Sequence, residues 1–267
     1  MENSNIGEKI KLLTGSGMWH TREAEGLPSV HLSDGPHGLR KQEEKERQNN
    51  VSLVSTCYPT ASALACSWDV TAAGRLGRAV AKEAWNADVA VLLGPGINMK
   101  RSPLCGRNFE YFSEDPFLAG RLGAAYVSAA QGENVAVSLK HFAANNQETN
   151  RQTSNSQIDE RALREIYLSA FEYVVKTARP ATVMASYNRL NGYYACENRH
   201  LLTEILREEW GFDGVVISDW GACADLAKAV KAGMDLEMPD SHGIHARKLK
   251  AALKAGEISE ADIAQAA

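Results

Sequence analysis

The chain has 267 residues, 44% of them hydrophobic and 23% charged, with a formal net charge of −4. That balance excludes a disordered chain, and the mixing of both signs without a basic patch or tail excludes an electrostatically driven nucleic-acid or membrane-surface binder. The length permits one α/β barrel, which needs about 250 residues, or two small domains.

Taken in chain order, residues 1–11 are polar, without the apolar core of a secretory signal, so cytoplasm is the expected location. No apolar run approaches the roughly 18 residues of a membrane span. Residues 29–33 are a weak strand candidate that runs into Asp34, and residues 41–50 (KQEEKERQNN) read as a solvated charged loop. Residues 59–64 are a second weak strand candidate. Clearer strands follow at 89–93, 135–139, 182–186, 214–218 and 233–238, about seven in all. Helical patterns lie between them at 71–85, 117–131, 160–178, 201–210, 222–232 and 245–255.

Alternation of strand and helix over this length implies a parallel sheet, closed or open. Gly15-Ser16-Gly17 and Gly94-Pro95-Gly96 lack the third glycine of a dinucleotide fingerprint. An open doubly wound sheet is therefore less expected than a (β/α)8 TIM-like barrel, irregular or incomplete in its last unit. The five cysteines are spaced 9, 39, 91 and 27 apart, which makes no CxxC pair and suggests reduced, buried thiols. His242 and His245 stand three apart, but no carboxylate spacing completes a metal site, so both read as surface residues and no metal or cofactor is expected.

Several strand candidates end in residues able to do chemistry: Asp34, Lys140-His141, Tyr187-Asn188 and Asp219-Trp220. Parallel strands place such ends on one rim, where barrels carry their active sites. Asp219 alone leaves two readings open, a cap for the following helix or a reacting carboxylate. Neighbours of the type of Arg107, Lys140, His141 and Arg151 would lower its pKa and keep it ionised as a nucleophile. Asp34, before Gly35-Pro36, is equally readable as a turn former. The amides from Asn145 to Gln147, just after a buried strand, suggest donors for hydroxyl groups.

Seven segments stand in the order of a known family: Ser33-Asp34-Gly35-Pro36-His37-Gly38, Gly94-Pro95-Gly96-Ile97-Asn98, Cys105-Gly106-Arg107-Asn108-Phe109-Glu110, Lys140-His141-Phe142, Asn145 through Arg151, Met184-Ala185-Ser186-Tyr187-Asn188, and Ser218-Asp219-Trp220. From about Leu12 to the C-terminus the chain resembles the N-terminal barrel domain of glycoside hydrolase family 3, in its bacterial β-glucosidase branch. The resemblance implies one catalytic barrel domain over residues 1–267 and a small-molecule or oligosaccharide β-glucoside as substrate. It implies a retaining mechanism with Asp219 as nucleophile, and sugar-hydroxyl contacts from Asp34, Arg107, Lys140, His141 and Arg151. Met184 and Tyr187 match side chains beside the nucleophile, and Trp220 matches an aromatic wall. The resemblance also implies that the general acid is a glutamate of a following sandwich domain, beyond Ala267. A related branch keeps its acid as a histidine in a KHFPG-type motif, but here Lys140-His141-Phe142 continues Ala143-Ala144-Asn145. Two other readings are a sugar-binding barrel without turnover, and an isomerase or aldolase barrel using Lys140 as an imine-forming amine. The latter would want an apolar pocket around the amine.

Overall fold

Five short apolar segments lie side by side, all parallel: β1 (Leu32–Asp34), β2 (Val91–Leu93), β3 (Ala136–Phe142), β4 (Thr182–Ala185) and β5 (Val215–Ser218). The computed structural model describes residues 6–24, 26–42 and 51–267, so all but the first two residues of the expected loop at 41–50 lie outside the described residues. Spatial order follows chain order, with Ser33 opposite Leu92, Leu92 opposite Val137, Leu139 opposite Val183 and Val183 opposite Val216. The named strands do not by themselves close into a barrel. Single parallel bridges, Ile217 to Leu236 and Glu237 to Thr14, carry the pairing past β5. Antiparallel bridges from Ser16 to His20 and from His20 to His31 lead back toward β1.

Side-chain alternation sorts the sheet into two faces. Leu92, Val137, Leu139, Val183 and Val216 join the large core beneath the helices. Leu32, Val91, Leu93, Met184, Ile217, Leu236 and Met238 form a separate cluster on the other face. Strands covered on both faces read as continuous hydrophobic runs, which is why these segments stand out in the sequence.

The helices are α1 (Ile6–Leu12), α2 (Ala61–Ala65), α3 (Val70–Asn86), α4 (Pro116–Gln131), α5 (Ser169–Ala178), α6 (Leu226–Ala232), α7 (Ile244–Lys254) and α8 (Glu260–Ala266). Aspartates start three of them: Asp69, Asp115 and Asp225 accept from the first free backbone amides of α3, α4 and α6. The stretch expected as one helix over 160–178 is a single turn at Glu160–Ala162, a π-helical turn at Leu163–Tyr167 and then α5. The 201–210 pattern is π-helical over His200–Glu209.

Three expectations are corrected. Residues 59–64 are not a strand: Thr60 accepts from the Ala63 amide and opens α2, whose Ala-Ser-Ala-Leu-Ala run favours helix. Residues 233–238 do not form a strand but contribute the single bridges at Leu236 and Glu237. The cysteines are free thiols, but Cys57 and Cys66 are exposed. A small second sheet, Asn155–Ser156 beside the hairpin Arg189–Leu190 and Tyr193–Tyr194, was not anticipated.

Candidate active site

The alternation that buries Leu32, Met184 and Ile217 on the inner face sets the parity of the residues following them. Asp34 lies two residues beyond Leu32, Asp219 two beyond Ile217, and Lys140 four beyond Ala136. All three therefore emerge on the inner face at the C-terminal ends of their strands. The β3 register shifts between Leu139 and Phe142, and within that irregularity His141 also turns to the site. A cavity of about 560 Å³ opens there. It is lined by every site residue expected from the sequence: Asp34, Arg107, Lys140, His141, Arg151, Met184, Tyr187, Asp219 and Trp220.

Asp219 forms the centre. Its Oδ1 accepts from the Trp220 amide at 2.7 Å, while Oδ2 has no hydrogen-bond partner among the described residues. The following helix, α6, is capped by Asp225 and not by Asp219, which removes the capping reading. The expected pKa direction is corrected: burial raises the Asp219 carboxyl above the usual carboxylate range, outweighing Arg107, Lys140 and the Trp220 amide.

Around it lies a mesh of charge. Lys140, 3% exposed, sets Nζ 3.5 Å from Asp34 Oδ1 and 3.6 Å from Glu110 Oε2. The amine thus sits between carboxylates and not in the apolar pocket an imine-forming lysine needs. Arg107 pairs through Nε with Glu110 and through Nη2 with His141 Nε2 at 2.7 Å. A guanidinium only donates, so Nε2 accepts and the ring proton lies on Nδ1, which donates to the Tyr111 hydroxyl at 3.0 Å. Burial, then Arg107, Lys140 and Arg151, hold His141 well below the usual histidine range. Asn98 clamps the His141 backbone on both sides, accepting from its amide at 2.7 Å and donating to its carbonyl at 2.8 Å.

The rim is aromatic. Trp220 donates from Nε1 to the Met18 carbonyl at 2.8 Å, and its ring lies 5.2 Å from that of Trp19. The Tyr187 hydroxyl donates to the Trp220 carbonyl at 2.9 Å, and Arg151 lies 4.3 Å above the Tyr187 ring while pairing with Glu148. Gly35 holds φ +119°, and a Cβ there would meet the Gly38 carbonyl oxygen at 2.0 Å, so only glycine permits this tight rim turn after Asp34.

Sequence reasoning missed Glu110, His37, Trp19 and Phe109, all lining the cavity. Glu110 was legible in principle, as an acid three residues after Arg107. Trp19 was not, because only the His20–His31 bridge brings it beside β1. The amides Asn145 to Gln147 do not line the cavity. Asn145 is buried and donates to the Tyr111 hydroxyl and to Glu148, tying the second layer together. His242 is exposed as expected, but His245 is half-buried against Glu237. A second cavity, about 530 Å³, lies at the opposite ends of the strands by Val30, Gly214 and Val215. There Arg207 is already paired with Asp235.

No helix among the described residues is long and apolar enough to cross a membrane. Residues 36–267 match the Glycosyl hydrolase family 3 N terminal domain. The chain is 52% identical over 264 residues to a thermostable beta-glucosidase B of Acetivibrio thermocellus, covering 97% of this chain and 35% of that protein. It is 49% identical over 247 residues to an exo-alpha-(1->6)-L-arabinopyranosidase of Bifidobacterium longum, covering 91% and 33% respectively. Among solved structures, beta-glucosidase 3B of Thermotoga neapolitana in complex with glucose superposes with a TM-score of 0.94 at 39% identity, over 99% of this chain and 40% of that one. The chain thus spans about a third of the length of these curated relatives. With the parallel sheet and the charged cavity at its strand ends, these matches make the chain a member of glycosyl hydrolase family 3, carrying that family's N-terminal domain.

Proposed function

We propose that the chain is the nucleophile-bearing domain of a retaining β-glucosidase, with residues 1–267 as one catalytic unit. The observation that carries this reading is Asp219, which lines the cavity: its Oδ1 is fixed by the Trp220 amide, while its buried Oδ2 has no hydrogen-bond partner among the described residues. In a retaining reaction such an oxygen attacks the anomeric carbon as the aglycone departs, and water then hydrolyses the glycosyl ester. Asp34, Arg107, Lys140, His141 and Arg151 supply ion-assisted hydrogen bonds to sugar hydroxyls. Trp220 offers an apolar platform for the ring, and Met184 and Tyr187 fix the wall beside the nucleophile.

The second carboxyl of a retaining enzyme stands about 5–5.5 Å from the first and must be protonated to act. The other cavity carboxylates are poor candidates. Glu110 is held below its usual range because Lys140 and Arg107 outweigh the upward pull of burial, and Asp34 pairs with Lys140. This supports an acid supplied from outside the pocket lining, in keeping with the sandwich-domain glutamate that the family resemblance implies. The arabinopyranosidase relative makes α-L-arabinopyranosides the second substrate class to test beside β-D-glucosides.

The test is trapping with 2,4-dinitrophenyl 2-deoxy-2-fluoro-β-D-glucoside, whose leaving group needs no acid. A covalent sugar on the peptide containing Asp219, located by mass spectrometry, is the expected result. Reversible binding without any adduct would favour the sugar-binding barrel without turnover.

A further inference from the structure

Beyond the sugar site, Cys223, Glu237 and His245 bring one thiol, one carboxylate and one imidazole together, with their ligand atoms all within 4.8 Å of one another. They come from three separate pieces of chain. Cys223 lies four residues after Asp219, in the loop between β5 and α6. Glu237 sits in the bridged segment after α6, its amide donating to the Leu13 carbonyl and its carbonyl accepting from the Gly15 amide, both at 2.9 Å. His245 is in the first turn of α7. Cys223 and Glu237 are buried, at 5% and 3% exposure, while the His245 ring, 17% exposed, faces outward enough to admit an ion.

We propose that Cys223 Sγ, Glu237 Oε1 and His245 Nδ1 form a binding site for a divalent transition-metal ion, with Zn²⁺ the best match to a thiolate, imidazole and carboxylate set. Tetrahedral zinc with bonds of 2.0–2.3 Å places its donors about 3.3–3.8 Å apart, so the ion takes the place of the proton in the hydrogen bond that now joins His245 Nδ1 to Glu237 Oε1, widening that pair and leaving the fourth position to water. On binding, Cys223 releases its Sγ proton to solvent and bonds as thiolate. The His245 Nδ1 proton moves to Nε2, which frees the Nδ1 lone pair, and Glu237 bonds as carboxylate. The anions balance the ion's two charges. Bound there, the metal ties the loop after the Asp219 segment to α7 and to the Leu13–Gly15 stretch.

The test is titration of the chain, dialysed against a chelator, with Co²⁺ as a spectroscopic probe and then with Zn²⁺ as competitor. Cys57→Ser and Cys66→Ser form the common background, because those thiols are exposed. The expected result is one Co²⁺ per chain with a thiolate-to-cobalt charge-transfer band, bleached by one equivalent of Zn²⁺. The band is lost in Cys223→Ser, and Zn²⁺ raises the thermal midpoint of the background protein but not of His245→Ala. His245→Ala also takes a partner from buried Glu237, so its fold is checked by circular dichroism and the readout is the absence of a Zn²⁺-induced rise, not its own midpoint. No charge-transfer band in the background protein, or a band that survives both substitutions, overturns the proposal.

Discussion

The Arg107 guanidinium donates from Nη2 to Nε2 of His141 at 2.7 Å, and the same Nε2 lies 3.7 Å from Asp219 Oδ2. The imidazole therefore turns a filled lone pair toward the cation and offers no proton to the carboxylate. The contact between His141 and Asp219 is not an ion pair, because burial and three cations keep the ring neutral.

This neutrality makes stability depend on pH with a definite sign. In the unfolded chain His141 protonates near its ordinary value of about 6.5, while in the folded chain it resists the proton. The unfolded state thus binds more protons below that pH, and stability falls as pH drops through and below about 6.5. His37, lowered chiefly by burial, adds to the same trend. Denaturant unfolding of the wild type and of His141→Asn across pH 7.5 to 5 should show a shallower decline for the variant. Parallel curves would mean that the ring is protonated in the folded protein.

Asp219→Asn should separate function from stability. The amide cannot attack the anomeric carbon, so hydrolysis of an activated aryl glucoside should fall by at least about 10³-fold. The folded carboxyl titrates above its unfolded value, so its ionised form costs stability at all pH values above that raised pKa. The variant should therefore melt at a higher temperature than the wild type at pH 7, and the advantage should vanish once pH falls below about 3.9, the unfolded aspartate value. A lower melting temperature at pH 7 would show that Arg107 and Lys140 hold the anion more strongly than burial opposes it.

The five strands were readable because a strand buried on both faces is a short unbroken apolar run between loops, as in Val91–Leu93 and residues 183–185 of β4. Asp34, Lys140 and Asp219 were readable as strand-end residues, and the structure adds the parity that turns them inward. What stayed hidden depends on long-range contacts. Trp19 reaches the site only through single bridges. The approach of Cys223 to His245 joins a loop to a helix two elements later. The 189–194 hairpin did carry a local signal, Asn191-Gly192 with both residues at positive φ, which strand counting overlooked. Asp219 was placed on the correct rim with the wrong pKa direction. Sequence gives the sign of nearby charges but not the depth of burial, and here burial dominates.

Glu110 should govern the site through its two cations. Glu110→Gln removes a carboxylate shared by half-buried Arg107 and buried Lys140, a loss that costs up to about 3–5 kcal/mol, less what Asp34 and Glu148 still supply. The freed positive charge would then act on Asp219, lowering its pKa. The acid limb of kcat/KM for an aryl glucoside should move to lower pH, while KM rises because Arg107 and Lys140 lose their anchor. A limb that stays in place while stability drops would restrict Glu110 to a structural part.

The last prediction concerns the leaving group. If the acid comes from outside the pocket lining, the 267-residue chain should show a steep dependence on aglycone acidity. General-acid assistance is worth typically 10²–10⁴-fold, about 3–5 kcal/mol of barrier, and a dinitrophenolate leaves without it whereas a sugar alkoxide does not. The chain should therefore form a glycosyl ester from dinitrophenyl glucoside but cleave cellobiose poorly. The same missing group would serve as base for the attacking water in the second step, so the ester should accumulate. Azide needs no proton removed, and it should restore turnover and yield glucosyl azide with retained β configuration, which nuclear magnetic resonance of the product would establish. Extending the chain with the sandwich domain of a family relative should raise cellobiose cleavage by a larger factor than aryl glucoside cleavage. Equal gains on both would assign that domain to folding or binding, and efficient cellobiose cleavage by the 267 residues alone would place an acid within them.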